Sequence, residues 1–152
     1  YVDLFNSYTS GHRIFVDGIY IRPTSDVAVT GVVSARFNIL RTSTSASNGQ
    51  SIGYASASET GATIFPLNST QAAIPSGITA RTLPVLGTTV TARVGTTFAF
   101  PEETTASATI AQNMNILKDE ILVLNPNEGI LVKQGSVASV GSFEIEIHFS
   151  VE

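Results

Sequence analysis

The chain has 152 residues, the length of one domain, with 8 Lys and Arg against 12 Asp and Glu and a net charge of -4. That balance excludes the basic footprint of a nucleic-acid binder, and the absence of Cys excludes disulfides, thiolate catalysis and Cys-based zinc sites. Only 13% of residues are charged, while Ser and Thr fill 35 of 152 positions, so the surface is built from hydroxyls, as suits an extracellular or particle-bound β protein. No apolar run reaches the ~18 residues of a membrane-spanning helix, and Tyr1 does not open a signal peptide. A start without Met is expected of a processed chain or of the ordered part of a longer one.

The first eleven residues concentrate apolar and aromatic side chains at Tyr1, Val2, Leu4, Phe5 and Tyr8 and end at Ser10-Gly11. Two readings stand side by side. The segment is an edge strand or tail packed on its own domain, or it is an extended N-terminal arm, residues 1–11, that adds a strand to a neighbouring subunit. In the second reading those five residues are the subunit or capsid interface, and residues 12–152 form the single domain.

Ile14-Phe15-Val16 and Ile19-Tyr20-Ile21 flank Asp17-Gly18, a pair suited to a two-residue hairpin turn, and Pro23 ends the second run. Val27–Val33 and Ala35–Arg41 follow as strands, the latter with Ala35, Phe37 and Ile39 on one face. Thr42–Ala62 is almost wholly Ser, Thr, Ala, Gly and Asn and reads as a long exposed excursion, a second candidate contact. Thr88–Val94 and the shorter Thr97–Phe100 are further strands, and Ala106–Lys118 is the one candidate helix. Glu120–Leu124 and Ile130–Lys133 flank Asn125-Pro126-Asn127-Glu128-Gly129 and read as a hairpin. From Phe143 to Val151 apolar and polar residues alternate strictly, the pattern of a half-buried strand. Seven to nine short strands between turn signals predict an all-β fold, a β-sandwich or jelly-roll with long Ser/Thr-rich loops.

Chemistry finds little to work with. His12 and His148 are the only histidines and make no ligand pair, and no Gly-x-Ser-x-Gly elbow or phosphate loop is present. The adjacent Glu102-Glu103 cannot face one another from a strand. Asp119, Glu120, Asn125, Asn127 and Glu128 offer oxygen ligands for calcium, but their spacing matches no cage and ordinary turn chemistry explains them. The aromatics are few, at 8% with no Trp, for a sugar-stacking platform. The expectation is therefore a protein that is not an enzyme and uses no cofactor or metal.

The Gly18–Ser25 run G-I-Y-I-R-P-T-S, the Ser/Thr/Ala excursion, the closing L-N-P-N-E-G-I-L-V-K-Q (Leu124–Gln134) and the alternating terminal strand together resemble small virion proteins of tailed bacteriophages. These are the capsid decoration, or cement, and related head-surface proteins, and the resemblance covers about two thirds of the chain. It implies a homotrimer or other cluster on the capsid exterior that bridges subunits of the major capsid protein and touches neither nucleic acid nor membrane. A fibre, tail or pilus-like polymer subunit using arm exchange, and a carbohydrate- or receptor-binding module, are the alternatives.

Overall fold

The computed structural model describes residues 2–9, 11–23, 33–45, 50–54, 63–64, 70, 75–82, 89–94, 98–102, 116–117, 120–134 and 143–152. Among them there is no helix. The strands are β1 (Val2–Asn6), β2 (Ile14–Pro23), β3 (Val33–Thr42), β4 (Gln50–Ser51), β5 (Gly53–Tyr54) and β6 (Thr63–Ile64), then β7 (Ile78–Thr82), β8 (Val90–Arg93), β9 (Phe98–Glu102), β10 (Leu122–Leu124), β11 (Gly129–Gln134) and β12 (Phe143–Val151). The all-β expectation holds. A larger antiparallel sheet runs β4-β7-β1-β11-β3-β8, with β9 also on β3, and a smaller one runs β10-β2-β12. β5 and β6 form a short parallel pair.

One core joins the two sheets. Ile14, Val16, Ile19 and Ile21 of β2 and Leu124 of β10 meet Leu4, Phe37, Ile39, Ile130 and Val132 of the larger sheet. Each such side chain, once buried, contributes roughly 1.5–3 kcal/mol. Phe37 and Ile39 share the buried face, as the alternation of the third strand predicts. Arg41 spans the sheets at one end: its guanidinium donates to the Val123 carbonyl at 3.0 Å and pairs with Glu128 at 2.9 Å.

Three local expectations are corrected. Asp17-Gly18 is not a hairpin turn; β2 runs straight through it, and neither residue has a positive φ. The register with β12 jumps from His148↔Gly18 to Phe149↔Val16, so Asp17 is the extra residue of a β-bulge. A Cβ on Gly18 would lie 2.6 Å from the Tyr20 ring, so only glycine lets that ring cross the bulge.

The Asn125–Gly129 segment turns the chain but makes no hairpin. β10 pairs β2 in one sheet while β11 pairs β1 and β3 in the other, so the segment carries the chain between sheets. Pro126 fixes the second position, Asn127 takes φ 61°, and Glu128 N–H donates to Asn125 C=O at 3.0 Å. The Glu128 carboxylate accepts from the Asn125 backbone and side-chain N–H groups as well as from Arg41. An oxygen ligand offered for calcium is thus engaged in holding the corner.

The first segment is the third correction. β1 is no detached arm: it lies inside the larger sheet of its own chain, with β7 on one side and β11 on the other. Leu4 enters the shared core, while Asp3 and Phe5, on the opposite face, are also buried. Phe5 lies over Gly129, where a Cβ would come within 2.5 Å of its ring.

The Thr42–Ala62 excursion also contains paired backbone. Thr42 is buried at the end of β3, Gln50–Ser51 pairs with β7, and Ile52 packs against the core. Phe98–Phe100 of the expected Thr97–Phe100 strand form β9, which continues through Pro101 to Glu102, and Thr97 lies outside the described residues. Of the candidate helix only Ile116 and Leu117 are described; they form a buried turn in which Ile116 N–H donates to Ile19 C=O at 2.9 Å. Of Val27–Val33 only Val33 is described, and Ala55–Ala62 lie outside the described residues.

Candidate interaction surface

The proposed contact residues of the first segment scatter once placed. Tyr1 lies outside the described residues. Leu4 and Phe5 are 2% and 5% exposed, so their side chains serve the fold of their own chain. Val2 and Tyr8 are half-buried. Tyr8 stacks at a tilt on His12, with ring centroids 4.5 Å apart, and covers Gly77, where a Cβ would meet its ring carbons at 2.4 Å.

Between them stands Asn6, a residue the sequence did not single out. Fully buried, it donates from its side-chain amide to the carbonyls of His12 and Leu124, both at 3.0 Å, and accepts from Tyr8 N–H at 3.1 Å. Its backbone bonds Glu128 C=O and Asn127 N–H, each at 2.9 Å. One side chain therefore ties the end of β1 to the start of β2, to β10 and, through the backbone, to the corner between sheets. The only sequence signal for it is a polar residue closing an apolar run.

Two exposed regions remain as candidates for contact. The first is the β8 border of the larger sheet. Thr89, Val90, Thr91 and Ala92 are all exposed, so both faces of the strand are open over Val90–Ala92, and Val90 is 48% exposed. Ser43, Thr44 and Ser45 continue the patch: Ser43 N–H donates to Thr89 C=O at 3.0 Å, and Thr89 N–H donates to the Thr44 hydroxyl at 2.8 Å. Hydroxyl and small apolar side chains carry no charge to desolvate, and their hydroxyls are buried at little cost only where a partner accepts or donates hydrogen bonds to them.

The second is β12, the border of the smaller sheet. Ile145, Ile147, Phe149 and Val151 lean on the core, and Glu144, Glu146, His148 and Ser150 face outward, as the alternation predicts. His148 Nε2 lies 2.7 Å from Glu146 Oε1, both side chains being 46% exposed, and its ring meets Tyr20 at a centroid distance of 5.1 Å. Ile121, just before β10, is the most exposed large apolar residue among those described, at 62%.

A shallow open hollow between Gly11, Arg13, Phe15, Asn125, Pro126 and Glu152 brings together no nucleophile and base. Among the described residues no three His, Cys, Asp or Glu side chains lie close enough together to hold a metal ion. No family model matches the chain, and neither a curated protein nor a solved structure does.

Proposed function

We propose that this chain is a non-catalytic structural protein of a virion, a β-sandwich or jelly-roll module that sits on the outside of a bacteriophage head and bridges coat subunits. The observation that carries this reading is the β8 border, where Ser43–Ser45 and Thr89–Ala92, all exposed, present an uncharged hydroxyl and small-residue surface. A border of that kind gains main-chain and side-chain hydrogen bonds when a partner covers it, and loses little charge solvation in doing so. Many such weak contacts repeated over a lattice add through avidity. The resemblance of Leu124–Gln134 and the terminal strand to head-surface proteins supplies the kind of lattice, and the net charge of -4 keeps the chain from competing for packaged DNA.

The contact is thereby assigned to the β8 border rather than to Leu4 and Phe5. An arm-exchange polymer would require β1 to leave its own sheet and Asn6 to surrender its buried hydrogen bonds. The test mixes the purified chain with shells assembled from the coat protein encoded in the same genome. Saturable co-sedimentation and a raised melting temperature of the shell are expected, and both are expected to disappear in Val90→Asp with Thr44→Lys. Co-sedimentation unchanged in that variant would contradict the β8 assignment. Absence of binding by the parent chain, with saturable glycan binding instead, would overturn the virion reading.

A further inference from the structure

β12 has a ladder partner on one side only among the described residues, and the backbone geometry fixes which of its groups face the open side. Arg13 and Glu152 exchange both backbone hydrogen bonds, so Glu152 and the residues in phase with it (Ser150, His148, Glu146 and Glu144) aim their N–H and C=O groups at β2. Ile19, opposite Ile147, spends its carbonyl on Ile116 on the far side of β2. The groups of Ile145, Ile147, Phe149 and Val151 therefore point outward from the sheet. Natural borders of this length are blunted by charged side chains, by Pro, by a bulge or by a covering segment. Phe143–Val151 has no Lys and no Pro, the bulge belongs to β2, and the charged residues of β12 are Glu144 and Glu146 on the outward face beside His148.

We infer that β12 pairs antiparallel with β12 of a second copy of this chain, about a two-fold axis through Ile147, joining the two smaller sheets into one of six strands. The register follows from charge. With Ile147 opposite the partner's Ile147, all nine residues overlap. Glu146 then lies opposite the partner's His148, His148 opposite the partner's Glu146, and Glu144 opposite the partner's Ser150. These are non-hydrogen-bonded positions, where opposed side chains approach most closely. The Glu146–His148 contact already made along each strand closes into a ring of four alternating groups.

A slip of two residues one way puts Glu146 opposite the partner's Glu146. A slip the other way puts Glu144 opposite the partner's Glu152. Like charges directly opposed oppose pairing, so the fully overlapped register is also the one free of repulsion. On the inner face Ile147 meets its own counterpart and Ile145 meets the partner's Phe149, extending the apolar ridge that leans on each core. The contact uses a border different from β8 and does not rest on the virion reading, because it forms between two copies in solution.

The absence of Cys from the chain allows a direct test. Glu146→Cys and His148→Cys variants, both at exposed positions, are oxidised mildly, each alone and as an equal mixture. A disulfide-linked dimer in the mixture, and in neither variant alone, is the expected result. Cross-linking of Glu146→Cys alone would overturn the register. No cross-link in the mixture, from variants that melt like the parent, would overturn the pairing. By sedimentation, His148→Glu should lose the dimer at concentrations where the parent forms it, and Glu146→His combined with His148→Glu should regain it. A dimer unaffected by His148→Glu would also contradict the inference.

Discussion

The first and last strands of this chain, β1 and β12, carry similar apolar content and have opposite fates. β1 reads V-D-L-F-N, without alternation, and lies between two strands with residues on both faces buried, Leu4 on one side and Asp3 and Phe5 on the other. β12 alternates without exception, leans one face on the core and, among the described residues, has a ladder partner on one side only. Alternation is the mark of a strand with one wet face, and its absence over a short apolar run marks a strand covered on both. The segment that looks most like an arm for a neighbour is thus interior structure, and the one that looks most like ordinary structure has, among the described residues, one side of its backbone unpaired.

The most severe way to break this contrast is to remove the first six residues. Loss of an interior strand separates β7 from β11, so the truncated chain should show no cooperative thermal transition by circular dichroism. A detached arm would leave melting nearly unchanged.

Asn6→Ala is next. It removes all three side-chain hydrogen bonds of a fully buried residue, to the His12 and Leu124 carbonyls and from Tyr8 N–H, for a loss of about 3 kcal/mol in urea denaturation. Core truncation then separates the middle of the smaller sheet from its border. Ile19→Ala, at a fully buried position, should cost ~3 kcal/mol. Ile147→Ala, half-buried, should cost roughly half as much, since the loss scales with the apolar area withdrawn from water. The smallest effect belongs to His148→Ala, whose side chain is 46% exposed: monomer stability should change by less than ~0.5 kcal/mol while self-association weakens.

β2, β3, β8, β10, β11 and β12 were legible from their local patterns, whereas β7 beside β1 and the short β4 and β5 within the Ser/Thr-rich excursion were not, and neither were the strands' partners. β12 and the buried face of β3 follow from alternation alone. Asp17-Gly18 misleads for a geometric reason: a two-residue hairpin turn and a one-residue bulge both put Ile14, Val16, Ile19 and Ile21 on one face. Only the long-range register with β12 separates the two. Asn125–Gly129 is legible as a turn, because Pro126 and Asn127 suit its backbone. Whether it joins neighbours in one sheet or carries the chain between two is decided by β2 and β1, more than a hundred residues away.

Asn6 was invisible because nothing local distinguishes a buried, fully bonded Asn from a solvated one. The β8 border was legible as a strand but not as a contact surface, since its exposure depends on what the rest of the fold leaves uncovered. Of the proposed contact residues, Leu4 and Phe5 are covered by the chain's own fold, and Val2 and Tyr8 are half-buried.

Amide hydrogen exchange, resolved by residue and repeated over a dilution series, tests the contrast between β1 and β12 most directly. Leu4 and Phe5 amides should be protected to the same degree at every concentration, and the Ile147 and Phe149 amides should be slow in concentrated solution and fast on dilution. Fast exchange at Leu4 and Phe5, or protection at Ile147 that ignores concentration, would contradict the roles assigned to the two strands.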